Sequence, residues 1–249
     1  MPLGDVFTSP QLTVKSGGPD MGNYYCEHTF FMLQHYAVNT CTTLARDAAG
    51  DALVGFMHVP DYEGDMAARH AATAQAVALA LRGDLTAASA AVPEGPLRVL
   101  LTGFGPFPGV DHNPAGEFVG NADLIAKTVQ LAFPGARGCG GTFTISDPRT
   151  GAPRILQVQT VTLPVSDSAL NDLLPQAITS FSPHAILSLG VSSRLAPTTY
   201  VAEVRADDGG LARTPTGYQH GDSAPTESLT NGSLVRAIRV GARALASSG

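Results

Sequence analysis

Two short stretches of this 249-residue chain carry side chains able to do covalent chemistry: Gly22-Asn23-Tyr24-Tyr25-Cys26-Glu27-His28 and Gly55-Phe56-Met57-His58-Val59-Pro60. They supply a thiol and an imidazole. A cysteine attacks as its thiolate, and an adjacent imidazole or a helix N-terminus brings a thiol's pKa down toward neutrality. Cys26 follows a glycine turn and precedes Thr29-Phe30-Phe31-Met32-Leu33-Gln34-His35-Tyr36, a run of helical character that reaches about Ala48. The sulfur is thus expected at a helix N-terminus, where the backbone dipole favours an anion. His58 closes the apolar run Ala52-Leu53-Val54-Gly55-Phe56-Met57, and Pro60 breaks the pattern just beyond it. That puts the imidazole where a strand leaves its sheet, a usual location for reactive groups in open α/β sheets. Taken singly, each residue also has a plain structural reading. A buried cysteine is ordinarily an inert small hydrophobe, and a strand-end histidine is ordinarily just hydrogen-bonded.

The elements that would hold these residues follow from the pattern along the chain. Residues 1–21 are rich in Gly, Pro and Ser, with one short strand predicted at 11–15. After the Cys26 helix comes a turn at 47–51, the strand 52–58 and a polar loop at 61–65. An alanine-rich helix over 66–82 follows, with apolar residues at three- and four-residue spacing. Residues 84–96, small and punctuated by Pro and Gly, have the composition of a linker. Leu97-Arg98-Val99-Leu100-Leu101-Thr102-Gly103-Phe104 then reads as a buried strand, followed by the loop 105–109 and a helix over 117–132. A hairpin pairs the segments near 140–145 and 155–160. A helix over 169–181, a buried strand over 185–190, a long polar loop over 206–229 and a last helix over 233–246 complete the chain. Alternation of strands and helices at these lengths predicts a three-layer α/β/α sandwich around a mixed, mostly parallel sheet.

Composition narrows the classes. Hydrophobic residues make up 44% of the chain, enough for one sizeable core, and charged residues only 14%. A net charge of −6 and a pI near 5.5 argue against a nucleic-acid surface. No apolar run approaches the ~18 residues of a membrane helix, and the N-terminus lacks the basic and apolar regions of a signal peptide. Cys26, Cys41 and Cys139 are odd in number and lack metal-ligand spacing, so no disulfide framework is expected and a reducing cytoplasm is. Cys41 and Cys139 read as structural. His28, His35, His70, His112, His184 and His220 show no ligand spacing, so neither a metal nor another cofactor is expected. Gly103-Phe104-Gly105 lacks the full glycine fingerprint and following lysine of a phosphate loop.

Several of these blocks together resemble one known family. Leu100-Leu101-Thr102-Gly103-Phe104-Gly105-Pro106-Phe107, with Asn113-Pro114 six residues after Phe107, resembles the opening of the pyroglutamyl peptidase I (pyrrolidone-carboxylate peptidase) family. Leu163-Pro164-Val165 and the strand 185–190 with Arg194 after it resemble its next blocks. Gly22-Asn23-Tyr24-Tyr25-Cys26 and Phe56-Met57-His58-Val59-Pro60 resemble its nucleophile and histidine motifs. Their order differs, because in that family the Gly-Phe block comes first and the Cys and His blocks last. The resemblance therefore implies a circularly permuted single domain. Residues 1–83 correspond to the family's C-terminal part, 97–249 to its N-terminal part, and 84–96 join its old ends. The new ends fall in the loop between the helix 233–246 and the strand near 11–15. The implied fold is phosphorylase/hydrolase-like.

The resemblance implies a cysteine peptidase that removes an N-terminal pyroglutamyl group through a thioester. Cys26 is then the nucleophile and His58 the general base. Glu203 is the carboxylate that orients the histidine; it fits the family's spacing only with a two-residue shift, and other alignments land on Tyr200 or Thr199. Phe104, Phe107 and Tyr24 would wall a slot for a flat lactam ring, with Asn113 nearby, and Arg194 would support the oxyanion. Two positions depart from the family: Val191 stands where it has Gln, and Glu27 where it has Asn. These bear on substrate choice more than on reaction type. Two further readings remain: the same Cys-His pair acting on another amide or acyl substrate, as hydrolase, cyclase or acyltransferase, or a non-catalytic binding protein of this fold. The expected partner is a small molecule or peptide bearing a cyclic amide, with homo-oligomerisation left open.

Overall fold

The computed structural model describes residues 4–9, 12–17, 25–61, 65–108, 110–192, 195–207, 212–214, 217–219 and 228–247. In chain order the first elements are β1 (Gly4–Ser9), β2 (Leu12–Gly17), α1 (Tyr25–Asn39), β3 (Val54–Pro60), α2 (Met66–Ala91) and β4 (Leu97–Phe104). Next come α3 (Pro114–Val119), α4 (Ala122–Ala132), β5 (Arg137–Cys139), β6 (Thr142–Ser146) and β7 (Pro153–Leu163). A π-helical turn, Ala169–Leu173, leads into α5 (Leu174–Phe181), followed by β8 (Ala185–Ser192) and β9 (Thr199–Glu203). The short strands β10 (Arg205–Asp207), β11 (Ala212–Thr214), β12 (Gly217–Gln219) and β13 (Ser228–Thr230) precede α6 (Ser233–Ala246).

Nine strands form one mixed sheet in the order β1-β2-β9-β3-β8-β4-β7-β6-β5. Its centre, β3-β8-β4-β7, is parallel, and β3, β8 and β4 are the nearly unbroken apolar runs expected of buried parallel strands. Antiparallel pairs flank it, including β9 against β3 and the β6–β7 hairpin. Helices cover both faces. Odd-numbered side chains of β4 and β8, such as Val99, Leu101, Leu187 and Leu189, share a core with α2, α3, α4 and α6. Even-numbered ones, such as Leu100, Phe104 and Ile186, share a core with α1 and α5. The fold is thus the three-layer α/β/α sandwich that the alternation predicts. Among the described residues, no helix is long and apolar enough to cross a membrane.

Several elements differ from expectation. The predicted linker 84–96 is mostly helix, because α2 runs on to Ala91 with Leu85, Ala88 and Ser89 buried. Small residues here serve close packing. A Cβ on Gly83 would overlap the backbone carbonyl of Ala237 on α6, so this glycine lets two helices touch. The turn that remains is fastened from the far hairpin. Buried Arg154 donates to the carbonyls of Val92, Glu94 and Gly95 and pairs with Asp147 at 2.8 Å, while Ser89 donates to the same carboxylate. The helix predicted over 117–132 is two, because Asn121 caps α4 by accepting from the N–H groups of Asp123 and Leu124. The predicted loop 206–229 contains β10–β13, and Ala206 is buried in the α1-side core. β1, missed among glycines and prolines, pairs with β2 at the sheet edge.

Candidate active site

Strand alternation points Val54, Phe56 and His58 toward α1. His58 is paired with Gly190 on β8 and with Val201 on β9. Glu203 lies two residues beyond Val201 and therefore on the same face. Its Oε1 sits 2.9 Å from His58 Nδ1, with both side chains nearly inaccessible to solvent. A Cβ on Gly17, the β2 partner of Glu203, would fall 2.9 Å from Glu203 Oε2, so the bare glycine leaves room for the carboxylate.

Cys26 is the second residue of α1, so its thiol stands in the helix's first turn, among N–H groups without intrahelical acceptors. A Cβ built on Gly190 would lie 2.7 Å from Cys26 Sγ and 2.6 Å from the Phe56 ring. The sulfur thus rests on the glycine that is His58's own strand partner, close enough to His58 to act on its ionisation. The Phe56 ring meets the imidazole edge-on, with centroids 5.1 Å apart. The result is a series, Cys26–His58–Glu203. Because a carboxylate only accepts, Nδ1 carries a proton, and Nε2 is the nitrogen left for the sulfur.

Burial alone would lower the pKa of His58. The hydrogen bonds to Cys26 and Glu203, with their negative charges, more than reverse this and push it up to about 10. Thr102 and Ser188 lie on the same face of the sheet, with Thr102 Oγ1 donating to Ser188 Oγ at 2.7 Å. Sequence reasoning overlooked this buried hydroxyl pair. Its signal was Ser188 between two leucines, two residues before Gly190.

The remaining predicted site residues divide. Phe104, at the end of β4, is buried in the cluster that contains Phe56 and touches Cys26. Phe107 is half-buried outside that cluster, in a turn closed by reciprocal backbone hydrogen bonds with Val110. Asn113 is fully buried, and its amide is occupied: Oδ1 accepts from Ala115 N–H and Nδ2 donates to the Gly105 carbonyl. It fixes the loop after β4 rather than presenting a free amide. Val191 pairs with Val59, and alternation places it with Leu189 on the sheet face away from Cys26. Tyr200 also faces the other layer, bonded to Thr73 at 3.0 Å, and Thr199 begins β9, a strand's length from Glu203. Of the three alternatives, only Glu203 is hydrogen-bonded to His58. Tyr24, Arg194 and His220 lie outside the described residues, and Glu27 is described only through its backbone. Among the described residues, no group of three or more metal-ligating side chains is assembled.

No family model, curated protein or solved structure matches this chain.

Proposed function

We propose that the protein is a cysteine hydrolase that cleaves the amide bond after an N-terminal pyroglutamyl or related lactam group. The observation that carries the reading is the Glu203–His58 hydrogen bond at 2.9 Å with Cys26 Sγ, in the first turn of α1, packed against His58's strand partner Gly190. Cys26 and His58 share the thiol proton; with that proton on Nε2, the Cys26 thiolate adds to the amide carbonyl. N–H groups in the first turn of α1 face the developing oxyanion. Collapse breaks the C–N bond as the imidazolium passes its proton to the leaving amine, leaving a thioester on Cys26. Water, deprotonated by His58, adds to the thioester, and the acid departs as the thiol is restored. Glu203 holds the imidazole in the required tautomer throughout. The buried Phe104 supports an apolar wall suited to a flat ring.

A second reading keeps this machinery and changes the acyl group. It is favoured by the occupied amide of Asn113 and by Val191 facing away from Cys26, since neither presents a polar partner to a lactam. The test is release of a fluorogenic amine from a pyroglutamyl amide by the wild type and by Cys26→Ala. Turnover that disappears in the variant supports the first reading. No turnover by a folded wild type whose Cys26 alkylates rapidly favours the second. An inert Cys26 would leave only a binding role.

A further inference from the structure

At the opposite end of β3 from His58, roughly 15 Å away at about 3.3 Å per residue, α2, α6 and the loop before β3 line a cleft. Its volume is about 580 Å³, within the range of small-molecule sites. Most of its wall is apolar, from Leu53, Ala87, Ala237 and Val240. Asp84 also lines it. This carboxyl is 3% exposed, and its Oδ1 has no hydrogen-bond partner among the described residues. A buried polar oxygen without a partner costs about 1–3 kcal/mol, so such a group in a cavity wall calls for a donor from elsewhere.

The charged neighbours do not supply one. Arg236 on α6 donates to Asp47 at 2.6 Å and also pairs with Asp51, and Arg46 donates to the Gly50 carbonyl at 2.7 Å. With Arg236 held by Asp47 and Asp51 and Arg46 held by the Gly50 carbonyl, Asp84 is the carboxyl left over. We propose that this cleft is a binding site for a small primary alkylammonium ion, its ammonium on Asp84 and its alkyl body against the alanine-lined wall. Three N–H donors on a compact head satisfy a carboxylate without needing a planar fork. Burial and then the charge of Asp47 push the Asp84 pKa up to about 8. Below that pH the cation must displace a proton, so binding tightens as pH rises toward 8 and releases a proton to the buffer.

The experiment is calorimetric titration of the full chain with n-butylammonium chloride at pH 7 and pH 8.5, in buffers of differing ionisation heat, with butyramide as a neutral probe. Saturable binding is expected, with proton release at pH 7 and an affinity severalfold higher at pH 8.5. Asp84→Asn keeps the shape and should lose at least tenfold in affinity. Ala87→Leu, one helical turn on, keeps the carboxyl, fills the cleft and should abolish binding; it decides the matter if the first variant does not fold. Undetectable binding by the wild type, wild-type affinity in either folded variant, or butyramide binding more tightly than the cation would each overturn the proposal.

Discussion

Glu203 Oε1 stands 2.9 Å from His58 Nδ1, although 145 residues separate them in sequence. The contact exists because β9 runs antiparallel to β3 with Val201 opposite His58, which carries the next same-face side chain of β9 past the imidazole. It fixes the ring's orientation and its proton at once, so its removal should impair turnover far more than folding. Glu203→Gln is expected to lower kcat by roughly ten-thousand-fold, the scale seen when an orienting carboxylate is lost. Its circular dichroism should match the wild type. Loss of activity confined to KM would contradict the assigned role.

The charge on His58 predicts a pH dependence of stability. The folded state raises this pKa from 6.5 to about 10, so its stabilising contribution is complete below about pH 6.5 and fades as pH rises toward 10. Urea midpoints measured between pH 6 and pH 10 should therefore fall with pH. In Cys26→Ala, which lacks one of the two partners, the fall should be shallower. Equal slopes in the two proteins would remove Cys26 as a cause.

Gly190 should tolerate no side chain. Gly190→Ala places a methyl group 2.7 Å from Cys26 Sγ and 2.6 Å from Phe56, so sulfur and ring must both move. A destabilisation of about 1–3 kcal/mol is expected from overpacking, with alkylation of Cys26 slowed relative to wild type. Wild-type alkylation kinetics in this variant would show that the sulfur does not rest on Gly190.

Two effects of opposite sign meet at Gly83. Alanine is the better helix former by about 1 kcal/mol. Its Cβ would nonetheless overlap the Ala237 backbone, which cannot yield as a flexible side chain can. The clash should win, and Gly83→Ala is expected to lower the thermal midpoint; a rise would show that α2 and α6 are free to separate.

Arg154 serves a clamp rather than the chemistry. Truncating it to Ala leaves Asp147 buried without its cation and frees the carbonyls of Val92, Glu94 and Gly95. A cost of about 3–5 kcal/mol is expected from breaking such a pair, read in denaturant titration. Asp147 adds an acid limb to the profile. It is buried, yet its bonds from Arg154, Thr150, Ser89 and Arg149 hold its carboxyl well below the usual range. The stability it contributes is present above about pH 4 and is lost as pH falls further.

Much of this was legible in the sequence because it is local. The apolar runs of β3, β4 and β8 announce buried parallel strands, and α6 keeps one helical period from Ser233 to Ala246. Cys26 and His58 stand out as a thiol after a turn and an imidazole at a strand end. Glu203 could not be separated from Tyr200 and Thr199 by counting, because the choice depends on the register of two strands distant in sequence. Val191 misled for a related reason, since its face of the sheet follows from alternation past Gly190. The continuation of α2 was hidden by Gly83, which resembles punctuation until α6 is packed against it. Asn113 advertised an amide but not the carbonyl and N–H that already occupy it.

The relay also has an address on each side of the Arg154 clamp. The thiol and the imidazole come from the chain before residues 92–95, and the carboxylate comes from the chain after them. Neither segment holds all three side chains by itself. Severed at that turn, the protein would become two fragments that bring Cys26, His58 and Glu203 together only on reassociation, with Arg154 as the latch that re-forms across the cut.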